Sequence, residues 1–131
     1  MIQVHTMVSV VDNSGVVLIR CIRLLRGSKK NSATIGNYIV GAVQKITINR
    51  SQKRNKLKKM LNRGDICKGL VISINNNIAR LHNSYVKASK NAVILVGDNF
   101  LPVASRVLGP VFLELRALKH LKILTLASII V

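Results

Sequence analysis

Apolar and polar residues alternate over the first part of the chain, as they do in a half-buried β-strand. In residues 1–11, the positions that share one face are Ile2, Val4, Thr6, Val8 and Val10. Residues 12–15 follow with the sequence Asp-Asn-Ser-Gly, whose side chains favour a tight turn. A second apolar run returns at 16–25. The two runs are therefore predicted to form a β-hairpin.

Three further apolar runs, at residues 38–48, 66–74 and 92–96, are also predicted as strands. They are separated by breaks rich in Gly, Asn and Ser, and no long helical pattern lies between them. Short strands in this arrangement favour a closed or partly closed barrel. Closure also hides the sheet edges that so apolar a chain cannot safely expose.

A helical spacing replaces the alternation near the end of the sequence. Val111, Leu115 and Leu118 are spaced i, i+4, i+7, which places them on one face of a short helix. Pro110 suits the first turn of that helix, where its missing N–H costs nothing. The sequence therefore predicts a short helix directly after residue 109.

Basic side chains are expected along the same helix. Arg116, Lys119 and His120 lie three or four positions apart, a spacing that gathers them into one stripe. An ordinary solvated face and a face turned toward RNA explain such a stripe equally well.

The expected fold is mainly β: a small five-stranded β-barrel with a short helical C-terminal part, in a single domain spanning 1–131. Within it, the barrel occupies 1–105, with a long basic loop at about 49–64, and the C-terminal helical segment occupies 106–131. A chain of 131 residues is long enough for one domain and too short for two ordinary ones.

The net charge of the chain indicates what class of molecule it binds. Twenty-one Lys and Arg residues stand against four acids, which gives a formal net charge of +17. A compact domain with this excess repels itself, and a polyanion relieves the repulsion; nucleic acid is the commonest one. The chain has only two Tyr, two Phe and no Trp. Contacts to phosphates and to nucleic-acid shape, rather than stacking on bases, are therefore expected to supply most of the binding energy.

The most uneven part of the charge lies between two predicted strands. Its basic residues, with no acid among them, are Arg50, Lys53, Arg54, Lys56, Lys58, Lys59 and Arg63. A purely solvated loop, the alternative, normally mixes both signs of charge. The prediction is a loop that contacts RNA and becomes ordered when phosphates neutralise it. Its affinity would then fall steeply with salt concentration.

The residues that carry catalysis are scarce and scattered. The four acids occur singly along the chain, as do the three His residues. Cys21 and Cys67 lie far apart with no further ligand at metal-binding spacing, so they are interpreted as small buried hydrophobic residues in a reducing compartment. No enzyme activity, cofactor, metal site or small-molecule substrate is expected. No apolar stretch is long enough to span a bilayer, so no membrane partner is expected either.

Several short strings resemble one known family. They are Met-Ile-Gln at 1–3, Asp-Asn-Ser-Gly at 12–15, Arg-Gly-Asp-Ile at 63–66, Asn-Ala-Val-Ile-Leu at 91–95, Arg-Val-Leu-Gly-Pro-Val at 106–111 and Glu-Leu-Arg at 114–116. They occur in one order along nearly the whole chain. Together they resemble the universal large-subunit ribosomal protein fourteen family.

The resemblance implies both a fold and a set of partners. It implies a five-stranded barrel that binds large-subunit ribosomal RNA and packs beside neighbouring large-subunit proteins. It also implies a position on the intersubunit face, with bridges to small-subunit ribosomal RNA and a docking surface for a ribosome-silencing factor. A free-standing RNA-binding or chaperone barrel is the main alternative, and a small hydrolase is a weaker one.

The candidate site residues combine the family strings with the basic positions. From the family strings, Gly15, Gly109 and Pro110 are expected to serve backbone geometry, whereas the arginines at 106 and 116 are expected to contact RNA or a neighbour rather than pair with Glu114. The predicted RNA-binding residues are Asn13, Ser14, Arg20, Arg23, Lys29, Lys30, Arg50, Lys53, Arg54, Lys56, Lys58, Lys59, Arg63, Arg106, Arg116 and Lys119.

Composition also bears on the compartment. The chain is rich in Ile, Asn and Lys, whose codons are AT-rich, and it opens with strand-like alternation rather than an import peptide. Together with the resemblance, these features indicate a protein made inside an organelle and working in the ribosome of the mitochondrial matrix. A plastid or a bacterial cytoplasm is the alternative.

Overall fold

A computed structural model describes residues 1–25, 31–47 and 61–131. Its strands are β1 (Met7–Val10), β2 (Val16–Leu24), β3 (Tyr38–Ile46), β4 (Ile66–Ser73), β5 (Ile78–Ala79), β6 (Tyr85–Val86), β7 (Ala92–Val96), β8 (Val107–Val111) and β9 (Ala127–Ile130). A short 3-10 turn spans Leu81–Asn83, and two short helices, α1 (Glu114–Ala117) and α2 (Leu121–Leu126), precede β9.

Five of these strands close a barrel in the order β1-β2-β3-β4-β7. Consecutive strands in this order are antiparallel, and a parallel pairing of β1 with β7, through Ser9 opposite Ala92 and Val10 opposite Val93, closes the circle. The prediction of a five-stranded barrel is confirmed. Two smaller pairs lie outside it, β5 with β6 and β8 with β9.

The barrel wall is not buried evenly. In β2, exposed and buried residues intermingle, as expected for a strand with one wet face. All five residues of β7 are buried, and so are the last five of β4. The C-terminal segment packs against β4: the Phe112 N–H donates to the Ile72 carbonyl oxygen at 3.4 Å, and Phe112, Leu115 and Ile123 are buried.

The predicted alternation over 1–11 holds only in its second half. β1 begins at Met7, because residues 3–6 form a turn in which His5 has a φ of 69°. His5 and Thr6 both hydrogen-bond to the backbone of Cys21. Two residues of the first segment therefore oppose a single residue of β2, and the inward–outward alternation of side chains shifts by one position. Val4, predicted on the same face as Val8 and Val10, is therefore 46% exposed, whereas those two residues are buried.

The predicted start of the C-terminal helix, directly after residue 109, is wrong. Residues 107–111 form strand β8, in which Val107, Gly109 and Val111 are buried and Pro110 points outward. A Cβ on Gly109 would lie 3.1 Å from Val11, so glycine allows the backbone of β8 to approach the barrel closely. Pro110 sits at an irregularity in the β8–β9 register, where a missing N–H is tolerated.

Candidate nucleic-acid interface

Arg20 and Arg23 lie on the solvent-exposed outer wall of the barrel. Residues three apart on a regular strand point to opposite faces. Here Cys21 pairs with Gly41 but Arg23 pairs with Val40, so Ile22 is an extra residue and forms a β-bulge. Arg20 opposes Ala42 and Arg23 opposes Val40, two positions apart on β3, so both guanidinium groups are exposed on the same face of the wall.

The first turn holds its side chains in internal hydrogen bonds. The buried Asp12 carboxylate accepts from the Ser14 N–H at 2.9 Å, from the Ser14 hydroxyl and from the Leu95 N–H at 2.8 Å. Gly15 adopts a φ of 91°, which a residue with a Cβ rarely accepts. The turn is thus fixed to the core by a buried acid, a role consistent with the turn chemistry expected of the Asp-Asn-Ser-Gly cluster.

Asn13 ties this turn to the segment that carries Arg106. Its amide nitrogen donates to the Ser105 hydroxyl at 3.0 Å, and its amide oxygen accepts from the N–H groups of Ser105 at 3.1 Å and Arg106 at 3.3 Å. The Arg106 side chain is exposed. The geometry shows Asn13 positioning Arg106; direct RNA contact by Asn13 and Ser14 stays a prediction.

One end of the barrel collects the first turn and both flanks of the basic region. The Thr47 N–H donates to the Gly15 carbonyl oxygen at 2.7 Å, and the Gly64 N–H donates to the Val43 carbonyl oxygen at 2.8 Å. Arg63, next to Gly64, is exposed at this end. The predicted RNA-binding residues Lys29, Lys30, Arg50, Lys53, Arg54, Lys56, Lys58 and Lys59 lie outside the described residues.

The prediction that the basic residues form a stripe along one C-terminal helix is wrong. The helical region is broken between α1 and α2, where Lys119 has a φ of 64°. Arg116 lies on α1 and lines an open groove of about 920 Å³, together with Leu81 and Leu113 of neighbouring segments. Lys119 instead lines a different pocket, and the half-buried His120 packs edge-on against the Tyr38 ring with centroids 5.7 Å apart.

Glu114 pairs with an arginine that sequence reasoning missed. Arg80 binds it through Nε–Oε1 at 2.5 Å and Nη2–Oε2 at 3.0 Å, and donates from Nη2 to the Val131 carbonyl oxygen at 2.7 Å. The hydrogen-bonded Arg80 holds the pKa of the Glu114 carboxyl below its ordinary value. No local sequence signal links two residues that are 34 positions apart. Neither Arg106 nor Arg116 forms an ion pair with Glu114.

Acidic groups of the protein are thus already engaged. Asp12 is bound by backbone and hydroxyl donors, Asp98 pairs with Lys68 at 2.9 Å and Glu114 pairs with Arg80. Asp65 accepts the Asn62 N–H at 2.8 Å. Within residues 1–25, 31–47 and 61–131, Lys68 and Arg80 are the only cations in ion pairs. The exposed predicted cations, Arg20, Arg23, Arg63, Arg106, Arg116 and Lys119, have no carboxylate partner among the described residues.

Cys21 and Cys67 are both free and buried, which confirms their interpretation as small hydrophobic residues. Burial, with smaller contributions from Asp12 and Asp65, raises the pKa of the Cys67 thiol to about 11. In the part of the chain that the structure describes, no three His, Cys, Asp or Glu residues are grouped to hold a metal ion. Nor does that part contain a helix both long and apolar enough to cross a membrane.

A closed barrel with an unpaired cationic surface belongs to the class of proteins suited to bind a polyanion. Comparison with known proteins specifies the class. The family model "Ribosomal protein L14p/L23e" matches residues 1–131, and the chain belongs to this family. It is 38% identical over 130 residues to the large ribosomal subunit protein uL14m of Acanthamoeba castellanii, covering 98% of each protein. The resemblance inferred from the short strings is confirmed, as is a structural role in the large ribosomal subunit.

Proposed function

We propose that this protein binds large-subunit ribosomal RNA through two cationic surfaces of the barrel and works in the mitochondrial ribosome. The proposal rests on one observation, the difference between the acidic and the basic side chains in their ion pairing. The acids have partners inside the protein, whereas exposed arginines on the wall and at the barrel end have none among the described residues. Phosphates are the partners that such arginines bind best, since the guanidinium geometry matches them.

The first surface, the open wall, carries Arg20 and Arg23 on β2. The second surface, the barrel end, carries Arg63 and Arg106, with Arg106 positioned by Asn13. The chain of residues 48–60, which holds six of the seven predicted loop cations, continues from this barrel end. The proposal assigns phosphate contacts to all of these basic residues, so binding should be strongly salt-dependent.

Exposed apolar residues favour protein neighbours on the C-terminal side. Leu108, Leu113, Ile129 and Ile130 are all exposed there, and such groups commonly mark interaction sites. This supports packing beside other large-subunit proteins near the intersubunit face, where Arg116 and Lys119 would reach small-subunit RNA or a silencing factor. No catalytic step is assigned to the protein.

The name uL14m belongs to the mitochondrial form of the family protein, and the whole-length similarity to it favours the mitochondrial ribosome over the plastid or bacterial alternatives. Fractionation tests this placement together with the main proposal. The native protein should sediment with the large particle of mitochondrial ribosomes and leave it only at high salt. Recovery of the protein in the free fraction, beside intact large particles that lack it, would contradict the proposal and favour a free-standing RNA chaperone.

A further inference from the structure

A small pocket lies between the loop 97–102 and the break between α1 and α2. Its volume is about 230 Å³, below the roughly 300–1,000 Å³ of sites for drug-sized ligands. The residues that line it are Phe100, Leu101, Pro102, Lys119, His120, Leu121, Lys122 and Ile123. A pocket of this size admits one ring system and excludes a double helix.

Two of the lining residues hold unfavourable backbone conformations. Phe100 has a φ of 58° and Lys119 a φ of 64°, values that residues with a Cβ adopt only at an energetic cost. Hydrogen bonds hold both in place: the Phe100 N–H donates to the Gly97 carbonyl oxygen at 3.0 Å, and the Lys119 N–H donates to the Arg116 carbonyl oxygen at 3.1 Å. Two unrelated loops are therefore held in strained conformations on either side of one pocket.

The Phe100 ring is supported from the barrel. It packs against the Tyr38 ring at a centroid distance of 4.7 Å, and the Lys68 ammonium lies 5.5 Å from its centroid. Despite these contacts Phe100 is 46% exposed. A large aromatic ring held at a pocket edge by a strained backbone is suited to pack against another flat ring.

The charges around the pocket are positive. Lys119 and Lys122 are exposed, and neither is ion-paired within the described chain. Among the described lining residues none is acidic. Asp98, the nearby acid, is held by Lys68. Burial lowers the pKa of the His120 imidazole, which disfavours its charged form. An aromatic face beside two free ammonium groups is the combination that binds a base and its phosphate.

We propose that this pocket binds one unstacked nucleotide of ribosomal RNA, with the base packed against Phe100 and the phosphate at Lys119 and Lys122. The inference rests on the proposed RNA-binding function and adds to it one site where stacking contributes. The site favours a bulged or looped nucleotide, because a paired base cannot leave its helix to enter a pocket without first unstacking. The RNA comes from either subunit, and the test separates the two sources.

Ultraviolet crosslinking of intact ribosomal particles tests the pocket. Irradiation joins aromatic side chains to bases in contact, and peptide mass spectrometry identifies the residue while primer extension identifies the nucleotide. Wild-type particles should give an RNA adduct on the peptide containing Phe100. An adduct in isolated large particles assigns large-subunit RNA, and one that appears only in joined ribosomes assigns small-subunit RNA.

Matched variants complete the design. Phe100→Asn removes the ring but keeps a residue that tolerates positive φ, so the loop is preserved. Tyr85→Asn removes a more exposed aromatic residue, 69% accessible against 46% for Phe100, outside the pocket lining. F100N should abolish the adduct and weaken binding of the purified full chain to the crosslinked RNA by about 5- to 150-fold, the range expected for one lost stacking contact. Y85N should change neither, and Lys119→Asn with Lys122→Gln should weaken binding and lower its salt dependence.

Each outcome separates the pocket from the wider function. Normal incorporation into particles with no adduct at Phe100, or equal binding by F100N and wild type, overturns the pocket and leaves the proposed RNA binding intact. A protein adduct in place of an RNA adduct also overturns it and assigns the pocket to a neighbouring protein. Loss of wild-type binding to ribosomal RNA altogether overturns the proposed function as well.

Discussion

The two sides of the barrel wall are made from the same kind of strand but are buried differently. Along β2 the outer positions are exposed to solvent and carry Arg20 and Arg23, whereas β7 is buried at every residue and, with the buried end of β4, forms the covered side of the wall. We therefore expect the covered side to serve stability and the open side to serve the proposed RNA binding. Each prediction below tests this division of the wall, beginning with the largest expected effect.

Truncation on the covered side should cost the most stability. Ile94 in β7 is 1% exposed, and replacing it with Ala should lower the free energy of unfolding by about 2–5 kcal/mol through lost burial and a residual cavity. The matched change on the open side, Ile22→Ala, should cost much less because Ile22 is already 45% exposed. Urea unfolding of both variants checks the comparison, and equal losses would contradict the division.

The five central basic residues of the 50–63 region should carry much of the salt dependence. Replacing Lys53, Arg54, Lys56, Lys58 and Lys59 with Ser should weaken binding to large-subunit RNA and flatten the slope of log affinity against log salt by up to about 3.5–4.5, at roughly 0.7–0.9 per lost phosphate contact. The measurement is a salt titration of the full chain. Replacing the four lysines with Arg keeps the charge and serves as the control. An unchanged slope in the Ser variant would mean that this region is merely solvated.

Charge removal on the open wall should affect binding but not folding. Arg20→Gln with Arg23→Gln should reduce the same slope by about 1.4–1.8, while the free energy of unfolding changes by no more than about 0.5 kcal/mol. The charge-preserving pair Arg20→Lys and Arg23→Lys should keep the slope. Loss of stability in the Gln variant, or a slope equal to that of the wild type, would show that these arginines face the protein rather than RNA.

The smallest effect concerns the acid that holds the C-terminal segment. Since the folded-state pKa of Glu114 is lowered by Arg80, the stabilisation it provides is present above the unfolded pKa and is lost as pH falls through the folded pKa. Glu114→Gln should therefore be less stable than the wild type at neutral pH, with the difference shrinking in acid. Thermal unfolding across this pH range measures it, and a difference independent of pH would argue against the ion pair.

The sequence was most informative where pattern and burial coincide on one strand. The runs at 16–25, 38–48, 66–74 and 92–96 correspond to β2, β3, β4 and β7 with small changes at their ends, because local alternation and apolar content suffice to define them. The C-terminal segment was harder. Apolar residues at 107–111 satisfy a strand spacing as well as the start of a helical one, and the partner that decides between them, β9, begins sixteen residues later.

Site prediction met a similar limit. The exposed cations were visible from composition, but which of them share a face depends on register. Arg80 gave no local sign of its role, since its partner Glu114 is 34 residues away. Phe100 was one of four scarce rings, and its contacts with Tyr38 and Lys68 and its positive φ, all properties of the folded chain, distinguish it from a residue of an ordinary loop.

The β-bulge at Ile22 decides which side chains of β2 face outward. Because Ile22 is the one unpaired residue between Cys21 and Arg23, a chain that lacked it would keep Arg20 and Arg23 two positions apart, on the same outer face of a regular strand. A strand of full length without the bulge would instead turn either Arg23 or Arg20 toward the apolar interior. The placement of both charges on the open wall therefore depends on the local register as well as on the presence of two arginines.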